Sequence, residues 1–333
     1  MTLLDAPPRR GEIAAVAIGR NEGERLRQCL VSLLPHVAAV VYVDSGSTDR
    51  SVELARALGA TVVNLDLSRP YTAARARNEG LARVARVVPD AQLVQFIDGD
   101  CEIVPGWIES AVSFLRSQRE VAAVCGRRRE RHPDSSIYNL LCDMEWDTPV
   151  GEARACGGDV LLRVDALRQI GGYRADLIAG EEPELCVRLR AKGWRIWRLD
   201  AEMTSHDAAI VSFRQWWLRT MRTGYAFAQG AHIHGAAPER HWVREARSAC
   251  LWGLVLPLAI LLATAFCGPW ALAAMAAYPL QVLRSFFRTT GIAKARVLRA
   301  TFLVLGKFPE ALGGLKFHAH RWAGGTSSLI EYK

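Results

Sequence analysis

The chain has 333 residues, half of them hydrophobic, with a mean hydropathy of +0.06 and a net charge of +8. That length suits one large domain with additions, or two domains, and the mean hydropathy is high for a protein soluble throughout. Residues 1–209 carry −3, 210–247 carry +4, 248–283 carry none and 284–333 carry +7, so the basic surplus brackets an uncharged block instead of coating a folded domain, which argues against a nucleic-acid partner.

In chain order, MTLLDAPPRRGE comes first and has no apolar stretch of the kind a secretory signal requires. Ile13–Ile18 (IAAVAI) reads as a short buried strand, and Glu24–Leu34 has helical spacing at Leu26, Leu30, Leu33 and Leu34. Val37–Val43 reads as a second strand, Ser51–Leu58 as a helix stopped by Gly59, and Thr61–Leu65 as a third strand. Arg75–Val87 is helical in pattern, and Leu93–Ile97 is a fourth strand running into Asp98-Gly99-Asp100. Strands alternating with helices predict an α/β fold with a mostly parallel sheet. Ligands of such sheets sit beyond the carboxyl ends of the strands. Asn21 and Glu22, Asp44, and the Asp98/Asp100 pair all fall at such ends. Two carboxylates this close raise each other's pKa unless a cation or a ligand relieves the repulsion. Asp-Gly-Asp is also ordinary turn chemistry, but the shared location favours a ligand site. No G-x-G-x-x-G follows the first strand, so a dinucleotide fold is not indicated.

Further along, Arg127–Arg131 (RRRER) reads as an exposed charged loop. Glu181 and Glu182 precede a helix at Pro183–Lys192, where the helix dipole favours acidic residues, and Arg195–Leu199 reads as a strand. Phe213–Gln229 mixes aromatics with Arg214, Arg219 and Arg222, which suits a membrane surface. The uncharged block Ser248–Leu283 would make one helix of about 54 Å, too long for a hydrocarbon core of about 30 Å. Cys267-Gly268-Pro269 breaks it, so two short spans are expected, 249–266 and 269–286. Basic flanks on both outer sides place both ends in the cytoplasm. A buried or re-entrant hairpin is the competing reading. His232 and His234 read as loop residues, and 289–333 as a basic amphipathic tail. The eight cysteines form no C-x-x-C pair, so their spacing offers no zinc or thioredoxin-like motif. Scattered single thiols suit a reducing compartment.

Five stretches together resemble the inverting family 2 glycosyltransferases with a GT-A fold, over about residues 12–207. They are AIGRNEGERLRQCLVSLL, VDSGSTDRSVELA, ARARNEGLA, FIDGDCEIVPGW, and CGGDVLLRVDALRQIGGYR followed by AGEEPELCVRLRAKGWRIWRLDAEMTSH. The resemblance implies a GT-A, Rossmann-like sheet flanked by helices, a nucleotide-sugar donor and a divalent metal, Mg²⁺ or Mn²⁺. It implies that Asn21, Glu22 and Asp44 line the nucleoside pocket, that Arg77 reaches the diphosphate, and that Asp98 lies toward the sugar. Asp100 is the implied metal ligand, with Asp98 beside it and His206 closing the site. Glu182 matches the position of the catalytic base, with Glu181 as second candidate, and Gly157, Gly158 and Asp159 match the acceptor-pocket loop. The processive synthases of the family carry Gln-x-x-Arg-Trp, which Gln215-Trp216-Trp217-Leu218-Arg219 does not reproduce. The organisation expected is a catalytic domain at 1–209, a juxtamembrane segment at 210–247, two membrane helices within 248–288 and a cytoplasmic tail at 289–333. The acceptor expected is lipid-linked or membrane-proximal, at a bacterial inner membrane. Transfer to polyprenyl phosphate and a catalytically silent membrane scaffold are the alternatives.

Overall fold

A computed structural model describes residues 10–324. The expectation about a leader at the start, and the end of the basic tail at 325–333, lie outside the described residues. The chain forms two compact units, one reaching to Pro133 and including Glu145–Ala208, the other comprising Asp134–Met144 and the residues from Ala209 on. The expected domain span 1–209 kept 134–144 in the first unit; the contacts put that segment in the second.

The first unit contains β1 (Ile13–Gly19), α1 (Glu24–Leu33), β2 (Ala39–Asp44), α2 (Ser51–Ala57), β3 (Thr61–Asn64), α3 (Ala73–Val87), β4 (Leu93–Asp98), β5 (Cys101–Ile103), α4 (Trp107–Ser117) and β6 (Val121–Glu130). After α5 (Ile137–Glu145), most of which belongs to the second unit, follow β7 (Gly151–Ala153), β8 (Val160–Arg163), α6 (Val164–Ile170), α7 (Glu181–Ala191) and β9 (Arg195–His206). Among the described residues the strands make one nine-stranded sheet ordered β3-β2-β1-β4-β8-β6-β9-β5, with β7 on β9.

The strands β3, β2, β1 and β4 run parallel. The other half is mixed: β8 is antiparallel to β4 and to β6, while β9 is parallel to β6. The expectation of a mostly parallel sheet therefore holds only for the first half. The reason is directional. β4 arrives at the carboxyl end of the sheet at Asp98, and β8 departs from that same end after Asp159, so the two must oppose. Arg127–Arg131 is likewise not a loop: β6 runs on to Glu130, with Arg127 and Glu130 buried, Arg128 half-buried and Arg129 exposed.

Alternation along β1 sends Ile13, Ala15 and Ala17 to one face and Ala14, Val16 and Ile18 to the other, and both faces are covered. Leu26, Leu30 and Leu33 of α1 with Trp107, Ile108 and Leu115 of α4 fill the first layer. Ala74 and Val84 of α3 with Leu167 of α6 and Leu185 and Leu189 of α7 fill the second. Small residues bring α3 close to the sheet: a methyl on Gly80 would strike the side chains of Val16 and Val43. That closeness lets the next turns of α3 deliver Arg77 to the strand ends.

In the second unit α8 (Phe213–His234) opens with a capping box between Ser212 and Gln215. It runs beyond the expected Gln229, and so includes His232 and His234. Then come α9 (Val243–Cys250), a π-helical turn (Leu251–Val255), α10 (Leu256–Cys267), a 3₁₀ segment (Pro269–Ala276), α11 (Ala277–Arg288), α12 (Ala293–Leu305) and α13 (Lys307–Trp322). Among the described residues one continuous helix, Val243–Cys267, is long and apolar enough to cross a membrane. The expected second span is instead a 3₁₀ segment followed by α11. Gly268, with φ of 90°, turns the chain back, and the Tyr278 hydroxyl then donates to the Trp252 carbonyl at 2.8 Å. Phe266 at 85% and Trp270 at 87% exposure sit at this turn.

Candidate active site

The Asp98-Gly99-Asp100 turn closes against the loop after β1: Gly99 N–H donates to the Ile18 carbonyl at 2.8 Å. A Cβ on Gly99 would lie 3.1 Å from that carbonyl and 3.2 Å from Glu22 Cγ. The two aspartates then point to different partners. Asp98 Oδ1 accepts from Arg77 Nη2 at 2.8 Å, and its Oδ2 lies 3.5 Å from Arg128 Nη2. Asp100 Oδ1 lies 3.2 Å from His206 Nε2. So the repulsion between neighbouring carboxylates is answered by two guanidiniums on one side and an imidazole on the other. Burial raises the Asp98 pKa; Arg77 and Arg128 pull it down, while Asp159 and Asp100 push it further up.

The loop after β2 is built by two of the expected nucleoside-pocket residues. Asp44 accepts from Gly46 N–H at 3.0 Å and Ser47 N–H at 2.8 Å on one oxygen, and from Tyr42 at 2.9 Å and Ser47 Oγ at 2.5 Å on the other. Asn21, in the left-handed region at φ 57° that asparagine tolerates, accepts from Thr48 N–H at 2.7 Å. Glu22 pairs with Arg25 at 2.7 Å. These contacts occupy the four acceptor positions of the Asp44 carboxylate, so Asp44 shapes the wall of the pocket through its loop.

Arg77 is not free to approach a diphosphate. At 2% exposure it is clamped between Asp98 and Glu181, with Nη1 donating to Glu181 Oε1 at 2.6 Å, and it lies 5.6 Å over the Tyr173 ring. Asp159, expected in the acceptor pocket, is buried. It accepts from Asp98 N–H at 3.0 Å, from Arg128 Nε at 3.0 Å and from Thr204 at 2.8 Å. It therefore joins β4, β6, β8 and β9 at the carboxyl end of the sheet. Arg128, on β6 where a loop is expected, is the second guanidinium of this network and lies 5.3 Å over the Trp146 ring. Gly158 fits because it has no side chain: a Cβ would sit 2.8 Å from Arg77 Nη2 and 3.0 Å from Asp98 Oδ2.

Glu130 of β6 was also missed. Its Oε2 lies 3.7 Å from His206 Nδ1, and it accepts from His132 N–H and Ala208 N–H, both at 3.0 Å. Burial lowers the His206 pKa, but Asp100 and Glu130 overcome that and raise it. The His206 ring meets the edge of Trp146 at 4.7 Å. This set fits a hard divalent ion. Ligands at about 2.1 Å in an octahedral shell stand about 3 Å apart along an edge, close to the 3.2 Å between Asp100 Oδ1 and His206 Nε2. Glu130 stands behind Nδ1 at 3.7 Å, where an outer partner of a ligating imidazole would lie. Asp98, engaged by two arginines, stands apart from that pair.

On the other side α7 begins at Glu181, two residues before the expected Pro183, so both glutamates lie in its first turn. Glu182, 3% exposed, accepts from Cys156 N–H at 2.7 Å and from the Cys186 thiol at 2.8 Å. Burial raises its pKa against these donors and Gly157 N–H. Gly157, at φ 130°, uses a conformation that a side chain would strain.

Residues 16–166 match the family described as glycosyl transferase family 2. Among curated proteins, the glycosyltransferase AglE of Haloferax volcanii is 23% identical over 189 residues, 53% of this chain and 60% of that protein. The pre-mycofactocin glycosyltransferase of Mycobacterium tuberculosis is 27% identical over 240 residues, 68% of this chain and 49% of that protein. The chain thus spans about half to three-fifths of the length of these relatives. Among solved structures, the mannosyltransferase PcManGT from Pyrobaculum calidifontis, in complex with GDP-Man and Mn²⁺, superposes with a TM-score of 0.64. The two are 19% identical, and the superposition covers 93% of this chain and 89% of the other, a likeness of fold. The family match, the sheet order and the acidic carboxyl end of β4 together identify residues 16–166 as a region similar to glycosyl transferase family 2, on a sheet of GT-A fold.

Proposed function

We propose that the protein is a metal-dependent inverting glycosyltransferase that moves a sugar from a nucleotide-sugar donor to a lipid-linked or membrane-proximal acceptor. The observation that carries this reading is the Asp100–His206 pair at 3.2 Å, set beside the Asp98 network at the strand ends. A divalent ion, Mg²⁺ or Mn²⁺, supplies positive charge to the diphosphate as the glycosidic bond breaks. Asp100 and His206 hold that ion, and Glu130 orients His206. Asp98 faces the sugar and ribose, kept in place by Arg77 and Arg128. Glu182 takes the proton of the acceptor hydroxyl; a carboxylate with a raised pKa is suited to that transfer. Glu181, the second candidate, is engaged by Arg77.

The membrane part of the reading is supported by the apolar helix Val243–Cys267 and by the exposed apolar side chains at Leu261, Leu262, Phe266, Trp270 and Phe287. We place the catalytic unit on the cytoplasmic face because both outer flanks of the apolar block are basic. Transfer from a panel of nucleotide sugars, with Mn²⁺ and then with EDTA, is the test. EDTA is expected to abolish turnover, and Asp100→Ala to remove metal-dependent nucleotide binding. Full activity in EDTA, or unchanged nucleotide affinity in the variant, would sink the metal assignment.

One observation favours a second reading. Glu182 is buried and already accepts several hydrogen bonds, as a residue that only shapes the Cys156–Gly157 loop would. An acceptor that is already ionised, such as polyprenyl phosphate, needs no base. Glu182→Gln separates the two. With a hydroxyl acceptor, transfer should fall about 10²–10⁴-fold while donor affinity holds. Transfer that survives the change points to the anionic acceptor.

A further inference from the structure

Spacing along the sequence offered no zinc motif, but the fold gathers cysteines that the sequence keeps apart. Cys125 comes from β6, Cys156 from the loop before β8, and Cys186 from α7. Cys156 Sγ and Cys186 Sγ lie 3.7 Å apart, and Cys186 Sγ lies 2.8 Å from Glu182 Oε1, one turn back on the same helix face. One ligand atom from each of Cys156, Glu182 and Cys186 falls within a 4.8 Å set. The Cys125 thiol donates to the Trp197 carbonyl at 3.8 Å. A tetrahedral zinc with Zn–S of about 2.3 Å holds two sulfurs about 3.8 Å apart. The observed sulfur separation already matches that edge.

We propose that Cys156, Cys186 and Glu182 form a second metal site, thiolate-based and suited to Zn²⁺, distinct from the hard-ion pair Asp100–His206. A solvent molecule would complete the four-coordinate shell. The donor sets sort the ions: carboxylate with imidazole suits Mn²⁺ or Mg²⁺ in the presence of substrate phosphates, whereas paired thiolates select zinc. Cys156 is partly exposed and gives the ion its entry. Without metal both thiols stay protonated: burial pushes Cys186 up to about 11, and the Cys125 contact with burial holds Cys156 well above the ordinary thiol range. Binding therefore displaces one proton from each of these thiols into solvent, and no oxidant or reductant takes part. For Zn²⁺ to bind, Cys186 and Glu182 must open by several tenths of an ångström, since a tetrahedral sulfur–oxygen edge is about 3.5 Å.

If Glu182 is the base proposed above, a filled site takes its lone pair, and zinc acts as an inhibitor of transfer. That consequence rests on the functional reading; the binding itself does not. The test therefore reads binding first, on full-length reduced protein in detergent, stripped with chelator and given Zn²⁺ or Co²⁺ alone. One equivalent of zinc should be retained, and its X-ray absorption should show at least two sulfur scatterers at about 2.3 Å. Cobalt should give a thiolate charge-transfer band. Cys156→Ser and Cys186→Ser should each weaken zinc by a factor of about 100 or more, since loss of outer partners alone costs 10–100-fold, and Asp100→Ala should leave the band intact. Zinc with only nitrogen and oxygen neighbours in the wild type overturns the site without any variant having to fold. So does a Cys156–Cys186 disulfide under the same reducing conditions, or a band lost in Asp100→Ala. Inhibition of transfer is then measured separately: zinc retained on sulfur with no inhibition keeps the site and removes Glu182 as base.

Discussion

At the scale of single residues, the site is held by side chains with no freedom to yield. Arg77 is fixed at both ends, by Asp98 at 2.8 Å and Glu181 at 2.6 Å, so a methyl group on Gly158 has no soft neighbour to displace. Gly158→Ala should destabilise the protein by about 1–3 kcal/mol, the usual cost of overpacking a filled site. It should also weaken donor binding by moving Asp98. Chemical denaturation with nucleotide titration checks both; an unchanged midpoint would mean the network is looser than its distances. The residues readable from sequence were those at strand ends, because position there follows from periodicity alone: Asn21, Asp44, Asp98 and Asp100. Their partners were harder to read. Arg128 and Glu130 lie inside RRRER, and a run of charges in isolation reads as solvated. Only the opposing buried charges of Asp98, Asp159 and His206, 30 to 76 residues away by number, make it the interior of a strand. Arg77 is legible as a residue of the site, but its pairing with Glu181 is not, because the two stand 104 residues apart.

At the scale of elements, α8 and α13 touch backbone to backbone. A Cβ on Gly224 would collide with the Glu310 backbone, and one on Gly313 with the Met221 carbonyl. Such mutual small-residue contacts are how helices approach closely. Neighbouring Gly314 is different: its Cβ would lie an ordinary 3.8 Å from Ala228. Gly314→Ala should therefore stabilise by up to about 1 kcal/mol through helix propensity, whereas Gly313→Ala should force the helices apart and destabilise. Thermal unfolding of the two variants in one detergent measures the difference; equal shifts would remove the packing argument. This pairing was invisible in the sequence, where residues from 289 on read as a basic tail without a motif. The apolar face of α13 is interrupted by charges, and its glycines lower helix propensity. The boundaries of β1, α1 and α3 were legible because their apolar spacing is regular.

For the whole molecule, the proposed membrane reading makes the apolar hairpin the element that sets sidedness. The Tyr278 hydroxyl on the Trp252 carbonyl brings the returning chain level with the outgoing helix, so on that reading the hairpin would enter and leave by one face. Basic residues flank both arms, Arg240, Arg244 and Arg247 before it and Arg284, Arg288 and Lys294 after it. Reporter fusions after residue 240 and at the C-terminus should therefore both report the cytoplasm. A C-terminal fusion on the opposite side would replace the hairpin with one tilted span.

The clamp on Arg77 also dictates an order of assembly during synthesis. Its partners Asp98 and Glu181 stand 21 and 104 residues further along, and the histidine that completes the Asp100 pair arrives at 206. At about 5–20 residues per second, a nascent chain carries Arg77 for several seconds before Glu181 is made. A chain stalled at residue 166 would contain the whole family match, yet its arginine would have Asp98 without Glu181, and Asp100 would lack its imidazole. Since Val243 comes later still, the emerging protein completes the Asp100–His206 pair before it makes the apolar helix proposed to draw it to a membrane.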